Sequence, residues 1–295
     1  MKGFFKGTAT AMITPFSENG GVNFEAFGRM IDYQIENGTD ALVILGTTGE
    51  PSTMTDEEKV AVMEFSVKKI NGRAKIIFGS GSNCTAEAVA ASVRAESLGA
   101  DGLLCVTPYY NKCTQKGITE YYKAVCGAVK IPVIAYNVPA RTGVNILPPT
   151  AEEISKIPNL AGIKEACGNM EQICETMRRV RPYCDVYSGD DNLNLPILAI
   201  GGAGLISVAS NIAPKEVKKV YTYVSAGDLA AANGLQDKLL PLIDACFTEV
   251  NPIPVKAGCQ MLGLDAGVPR APLTELEDEH KKIMQDCIER LGLKL

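Results

Sequence analysis

The chain has 295 residues, a net charge of −5, and 46% hydrophobic against 21% charged residues. That is enough apolar material for one large α/β barrel or two smaller domains. The charges are mixed in sign with no Lys/Arg-rich run among aromatics, which argues against nucleic acid. No apolar run approaches the roughly 20 residues of a membrane span, and Gly, Thr and Pro break up the N-terminal stretch. The expectation is a cytoplasmic protein with no membrane partner.

In chain order, short apolar runs alternate with longer helical patterns. TATAMI (8–13) reads as the first strand, followed by a helix with Asn23 as its cap and Gly38 as its stop. ALVIL (41–45) leads into GTTGE (46–50) and a helix with a Thr55 cap, acids in its first turn and lysines in its last. KIIFG (75–79), a helix ending on Gly99, GLLCV (102–106), PVIAY (132–136), LAGIK (160–164), DVYSG (185–189) and GLISV (204–208) complete a set of eight strands.

Runs that are apolar on both faces suit parallel strands beneath helices. Eight β-then-α units therefore predict an α/β fold, a (β/α)8 TIM barrel over residues 1–224. A doubly wound sheet is the alternative, but no G-x-G-x-x-G follows the first strand. Beyond 214 no comparable strand run occurs. Helices are expected from Lys215, over 228–247, over 254–262 and from Thr274, with 225–295 as a C-terminal helical domain.

The ten cysteines are scattered without a C-x-x-C pair and read mostly as reduced core thiols. The single histidine, His280, falls in the charged pattern ELEDEHKKIMQDCIERL and reads as solvated. Histidine-dependent triads and zinc sites are therefore poor candidates, and any chemistry falls to Lys, Tyr, Thr, Arg and carboxylates.

Function in such a barrel collects at the C-terminal ends of the strands. Lys164 ends an apolar strand, where desolvation favours the neutral amine that can form an imine with a ketone. The alternative is a buried ion pair with Glu165, although strand neighbours face opposite ways. Thr47 and Thr48, between glycines, suit a small carboxylate or simply cap a turn. Tyr136 shares the mouth from the adjacent strand, as a proton carrier or a packed rim. Arg141, in a Pro- and Gly-bounded loop, can grip a carboxylate or form a surface ion pair.

The motifs GTTGE (46–50), TPYYNK (107–112), YNVPARTG (136–143), GIKEACGN (162–169), YSGDD (187–191), GGAGLISV (201–208) and NPIPVK (251–256) occur in this order. With them the chain resembles the dihydrodipicolinate synthase/N-acetylneuraminate lyase family of pyruvate-dependent class I aldolases, over essentially its whole length. Within that family it looks most like the members that condense pyruvate with L-aspartate 4-semialdehyde on the diaminopimelate route to lysine.

The resemblance implies that Lys164 forms the imine and that Thr47 and Thr48 hold the pyruvate carboxylate. It implies a proton relay of Thr47, Tyr136 and Tyr110, with Tyr110 supplied by a neighbouring subunit of a homotetramer or homodimer. Arg141 would bind the semialdehyde carboxylate, and Gly189 and Ile206 would shape the site beside the lysine. No metal or cofactor is implied. Asn83, Glu87 and Tyr109 match a lysine-binding allosteric site, but Asp56 and Lys59 stand where sensitive members carry histidine or an aromatic. Weak or absent inhibition by lysine is therefore expected. The competing readings are a sibling aldolase for 2-keto-3-deoxy sugar acids or N-acetylneuraminate, and a barrel that only binds. The arginine and the Gly46-Thr47-Thr48-Gly49-Glu50 sequence argue against a neuraminate lyase; an intact Lys-Tyr-Thr-Arg set argues against a non-enzyme.

Overall fold

Local signals set many of the element ends. Asn23 accepts a hydrogen bond from the Ala26 amide, and Thr55 with Glu58 forms a reciprocal capping box. The computed structural model describes residues 2–294. It contains β1 (Gly7–Ala11), α1 (Phe24–Glu36), β2 (Ala41–Ile44), α2 (Asp56–Ile70), β3 (Lys75–Gly79), α3 (Thr85–Ser97), β4 (Gly102–Val106) and α4 (Gln115–Ala128). There follow β5 (Val133–Asn137), α5 (Pro139–Thr142), α6 (Pro148–Ser155), β6 (Leu160–Glu165), α7 (Met170–Val180), β7 (Asp185–Ser188), α8 (Asn194–Ala199) and β8 (Gly204–Ser207). The C-terminal helices are α9 (Pro214–Ser225), α10 (Leu229–Ala245), α11 (Ile253–Met261) and α12 (Asp278–Leu291).

The eight strands form a closed barrel in chain order, and every strand pair with a defined register is parallel. Nearly every strand residue is buried, as expected for a parallel sheet covered on both faces. This is the (β/α)8 fold expected from the sequence.

The chain divides into two compact units. One comprises the N-terminal residues through Lys6 together with Lys75–Ile206. It carries β3 to β7, most of β8, and α3 to α8. Its outstanding irregularity lies between β5 and β6, where the register shifts after Val133↔Leu160 so that Ile134 pairs with Gly162. From there Tyr136 stands opposite Lys164 and Asn137 opposite Glu165. The slip places one extra residue, Ala161, in β6 and changes which of its faces meets each residue of β5.

The other unit comprises Gly7–Ala74 and the chain from Ser207 onward. In it α10 packs against α9 and α12, and α11 against α12. It contains a buried ion pair. Lys256 Nζ lies 2.7 Å from Glu50 Oε1, with both side chains almost fully buried.

Several expectations need correction. The last helix starts at Asp278, not Thr274. Leu276 is buried and the Glu277 amide donates to Glu249 Oε1 at 2.9 Å, which holds 274–277 out of the helix. The segment bearing Arg141 is one helical turn, opened by Pro139 and closed by Gly143 at φ +68°. His280 is not simply solvated, because its Nδ1 lies 2.7 Å from Glu249 Oε1. All ten cysteines are free thiols, six of them buried, but Cys84 and Cys174 are exposed rather than part of the core. No helix among the described residues is long and apolar enough to cross a membrane.

Candidate active site

Side chains alternate along a strand, so the register shift decides what meets what. Tyr136 and Lys164 share one side of the β5–β6 pair. Lys164 is 5% exposed, and its ammonium nitrogen sits 4.1 Å from the centre of the Tyr136 ring. Burial lowers the Lys164 pKa to about 7; Asp191 pulls it back up, and Arg141 pushes it further down. Roughly half of the lysines therefore carry a neutral, nucleophilic amine at pH 7. Burial also raises the Tyr136 phenol to about 12, so it is protonated and able to donate.

Gly189 shapes the space beside the lysine. A Cβ there would stand 2.9 Å from both Cγ and Cε of Lys164 and from the Ala166 Cβ. Any side chain at this position would push the lysine aside. The Gly189 amide donates to the Glu165 carbonyl at 2.7 Å, so the turn after β7 is hooked onto β6. Ile206 is fully buried in β8.

Glu165 faces the opposite side and does not pair with Lys164. Its carboxylate accepts from Asn137 Nδ2 at 2.9 and 3.2 Å and from the Cys167 amide at 2.9 Å. Burial raises its pKa to about 7 in spite of these bonds. Arg141 is exposed, yet its charge is felt at both Lys164 and Tyr136.

Tyr110 lies outside this cluster. It is 89% exposed at φ +70°, in the left-handed region that a tyrosine rarely adopts. Asn83 borders a cleft with Asn111, Lys112 and Tyr121. Glu87 accepts from Ser82 Oγ at 2.8 Å, and Tyr109 is exposed. Lys59 pairs with Asp56 at 3.2 Å in the other unit.

That other unit also holds Thr47 and Thr48, in a single tight turn, Thr47–Gly49. Thr47 is exposed and Thr48 buried, its hydroxyl accepting from Asn251 Nδ2 at 2.9 Å. Glu50 closes the turn at φ +56° and accepts from Lys256 Nζ and from the Arg270 amide at 2.9 Å. The Thr48 hydroxyl thus receives one hydrogen bond from behind and keeps its own proton to donate.

The dihydrodipicolinate synthetase family model matches residues 4–291. The chain belongs to the dihydrodipicolinate synthetase family. It is 48% identical over 291 residues to 4-hydroxy-tetrahydrodipicolinate synthase of Caldicellulosiruptor bescii, covering 99% of this chain and 98% of the relative. The crystal structure of dihydrodipicolinate synthase from Aquifex aeolicus superposes with a TM-score of 0.95 at 44% identity, covering 99% of each chain. The chloride-inhibited dihydrodipicolinate synthase from Acinetobacter baumannii, complexed with pyruvate, gives 0.95 at 39% identity, covering 97% of this chain and 99% of that one.

The family motifs also contain residues to which sequence reasoning gave no part. Asn137 ends strand β5, Asp190 and Asp191 lie just beyond β7, and Asn251 and Lys256 begin and end NPIPVK. Parity would have found Asn137, since it and Glu165 are the outward-facing polar residues that end two apolar strands. Nothing local marks Asn251. Among the described residues no group of three or more His, Cys, Asp or Glu side chains is arranged to hold a metal ion.

Proposed function

We propose that this protein is a Schiff-base aldolase that condenses pyruvate with L-aspartate 4-semialdehyde to 4-hydroxy-tetrahydrodipicolinate. The observation that carries this is Lys164, a desolvated amine with a pKa near 7 set against the Tyr136 phenol, in a chain of this family. The neutral amine attacks the pyruvate ketone to give a carbinolamine, which loses water as Tyr136 passes protons. Removal of a methyl proton converts the imine to an enamine. The enamine carbon attacks the aldehyde, and the product amine then displaces Lys164 as the ring closes. Thr47 and Thr48 hold the pyruvate carboxylate, and Gly189 and Ile206 leave room beside the lysine. A fixed, preorganised set of donors adds to the rate enhancement of the covalent path.

Arg141 selects the second substrate by gripping its carboxylate. We propose further that Tyr110 completes the proton relay in a second copy of the chain, as a homodimer or a homotetramer of two such dimers. Its exposure, on a left-handed backbone, supports that role.

The test is reduction with borohydride in the presence of pyruvate, which should leave a stable adduct on Lys164. No adduct, or an adduct on another lysine, would refute the reading. Arg141→Ala should lower kcat/KM for the semialdehyde by roughly 100-fold, about 3 kcal/mol for a lost charge-assisted pair. Pyruvate trapping at pH 9, where Lys164 is neutral either way, should be unchanged; equal losses in both assays would remove Arg141 from this role.

The rate of pyruvate trapping should rise with pH to a midpoint near 7 and then level off, because only the neutral amine attacks. An unperturbed lysine would keep rising towards roughly pH 10. Asp191 stabilises the ammonium form, so Asp191→Asn should move the midpoint to lower pH. A move upward would contradict the electrostatic assignment.

A further inference from the structure

The reacting pair Tyr136–Lys164 has a counterpart on the outer side of the same two strands. Asn137 and Glu165, one residue further on, are in register and hydrogen-bonded side chain to side chain. The Asn137 amide group also donates to Asn145 Oδ1 at 2.9 Å, while its Oδ1 accepts from the Ile146 amide at 2.9 Å. Asn145 and Gln172 exchange two further amide bonds, at 2.8 and 3.0 Å. Gln115 Nε2 donates to the Asn145 carbonyl at 2.8 Å. One connected polar chain therefore joins the ends of β5 and β6, the segment just after the Arg141 turn, the first turn of α7 and the start of α4.

We propose that Asn137, Glu165 and Asn145 are positioning residues for the reaction, acting through two separable arms. The Glu165 arm sets the spacing between the backbones that carry Tyr136 and Lys164. The Asn145 arm fixes the segment that presents Arg141. None of these side chains touches the reacting atoms of the imine mechanism. Adjacent residues on a strand share backbone atoms, so a clamp on the outer side fixes positions on the inner side. A shift of about 1 Å in such a site can lower the rate about 100-fold.

The inference rests on the aldolase reading, and its test separates the two. Wild-type protein must first give the pyruvate adduct on Lys164; without it the parent reading fails. With the adduct in hand, Asn145→Ala should raise KM for aspartate semialdehyde about tenfold and leave the rate of pyruvate trapping at pH 9 within twofold. Glu165→Gln should slow pyruvate trapping at least tenfold while the protein keeps its far-UV circular dichroism.

A general loosening of the fold would not produce this split. Asn145→Ala affecting both assays by the same factor, or neither, would overturn the proposal. So would wild-type trapping by Glu165→Gln. If Glu165→Gln does not fold, the Asn145→Ala split alone decides.

Discussion

Lys164→Met is expected to lose the pyruvate adduct entirely and to lower turnover by at least about four orders of magnitude, ~5.5 kcal/mol in the barrier. A covalent path cannot be replaced by better binding, because without the iminium the methyl proton must be removed against the neutral ketone, a much weaker electron sink. The same variant should melt at or above the wild-type temperature at pH 7. The amine's folded-state pKa of about 7 lies below its unfolded value, so the unfolded chain binds more protons between those limits. Keeping this lysine therefore costs stability, most fully below pH 7, and the cost disappears as pH rises through the unfolded value near 10.4. Methionine has a similar volume and no charge to desolvate. A variant that is inactive and also markedly less stable would show that Lys164 is a structural residue.

Lys256→Met should do the reverse and damage the fold first. Lys256 is fully buried, donates to Glu50 Oε1 at 2.7 Å and to the Val268 carbonyl at 3.2 Å, and lies 4.3 Å from the Phe16 ring centre. Removing it strips the buried Glu50 carboxylate of its countercharge, while the Arg270 amide still donates to its second oxygen. Breaking one side of a buried pair costs about 3–5 kcal/mol. At this chain length that lowers the melting temperature by on the order of 10 °C. Removing both charges, as Glu50→Gln with Lys256→Met, should recover much of the loss, since no unpaired charge remains. If the double variant is no more stable than the single one, the unpaired Glu50 carboxylate is not the source of the loss. Activity should fall as well, because Glu50 closes the turn that carries Thr48.

Much of the proposed site is legible in the amino-acid sequence alone. Lys164 stands out because a lysine ending an apolar strand must be desolvated, and the scarcity of histidine removes the competing chemistries. Thr47, Thr48 and Arg141 are legible as residues bracketed by Gly and Pro at strand ends. Asn145 is not, and the parity that marks Asn137 does not reveal its partners, because both side chains bond to other segments. The Asn137–Glu165 bond spans 28 residues, and the Lys256–Glu50 bond spans 206. No periodicity or cap signal carries information over such distances.

The sequence by itself determined the eight strand–helix units, the capped starts of α1 and α2, and the ordered motifs of the family. These depend on propensity and alternation within a few residues. Tertiary structure alone decided the rest. The bulge at the start of β6 sets Lys164, rather than Ile163, opposite Tyr136. Leu276 and Glu277 delay α12 to Asp278 by burying a side chain and bonding to Glu249. The pKa of Lys164 falls because the closed strands remove water from around it, and desolvation is a property of the packed whole.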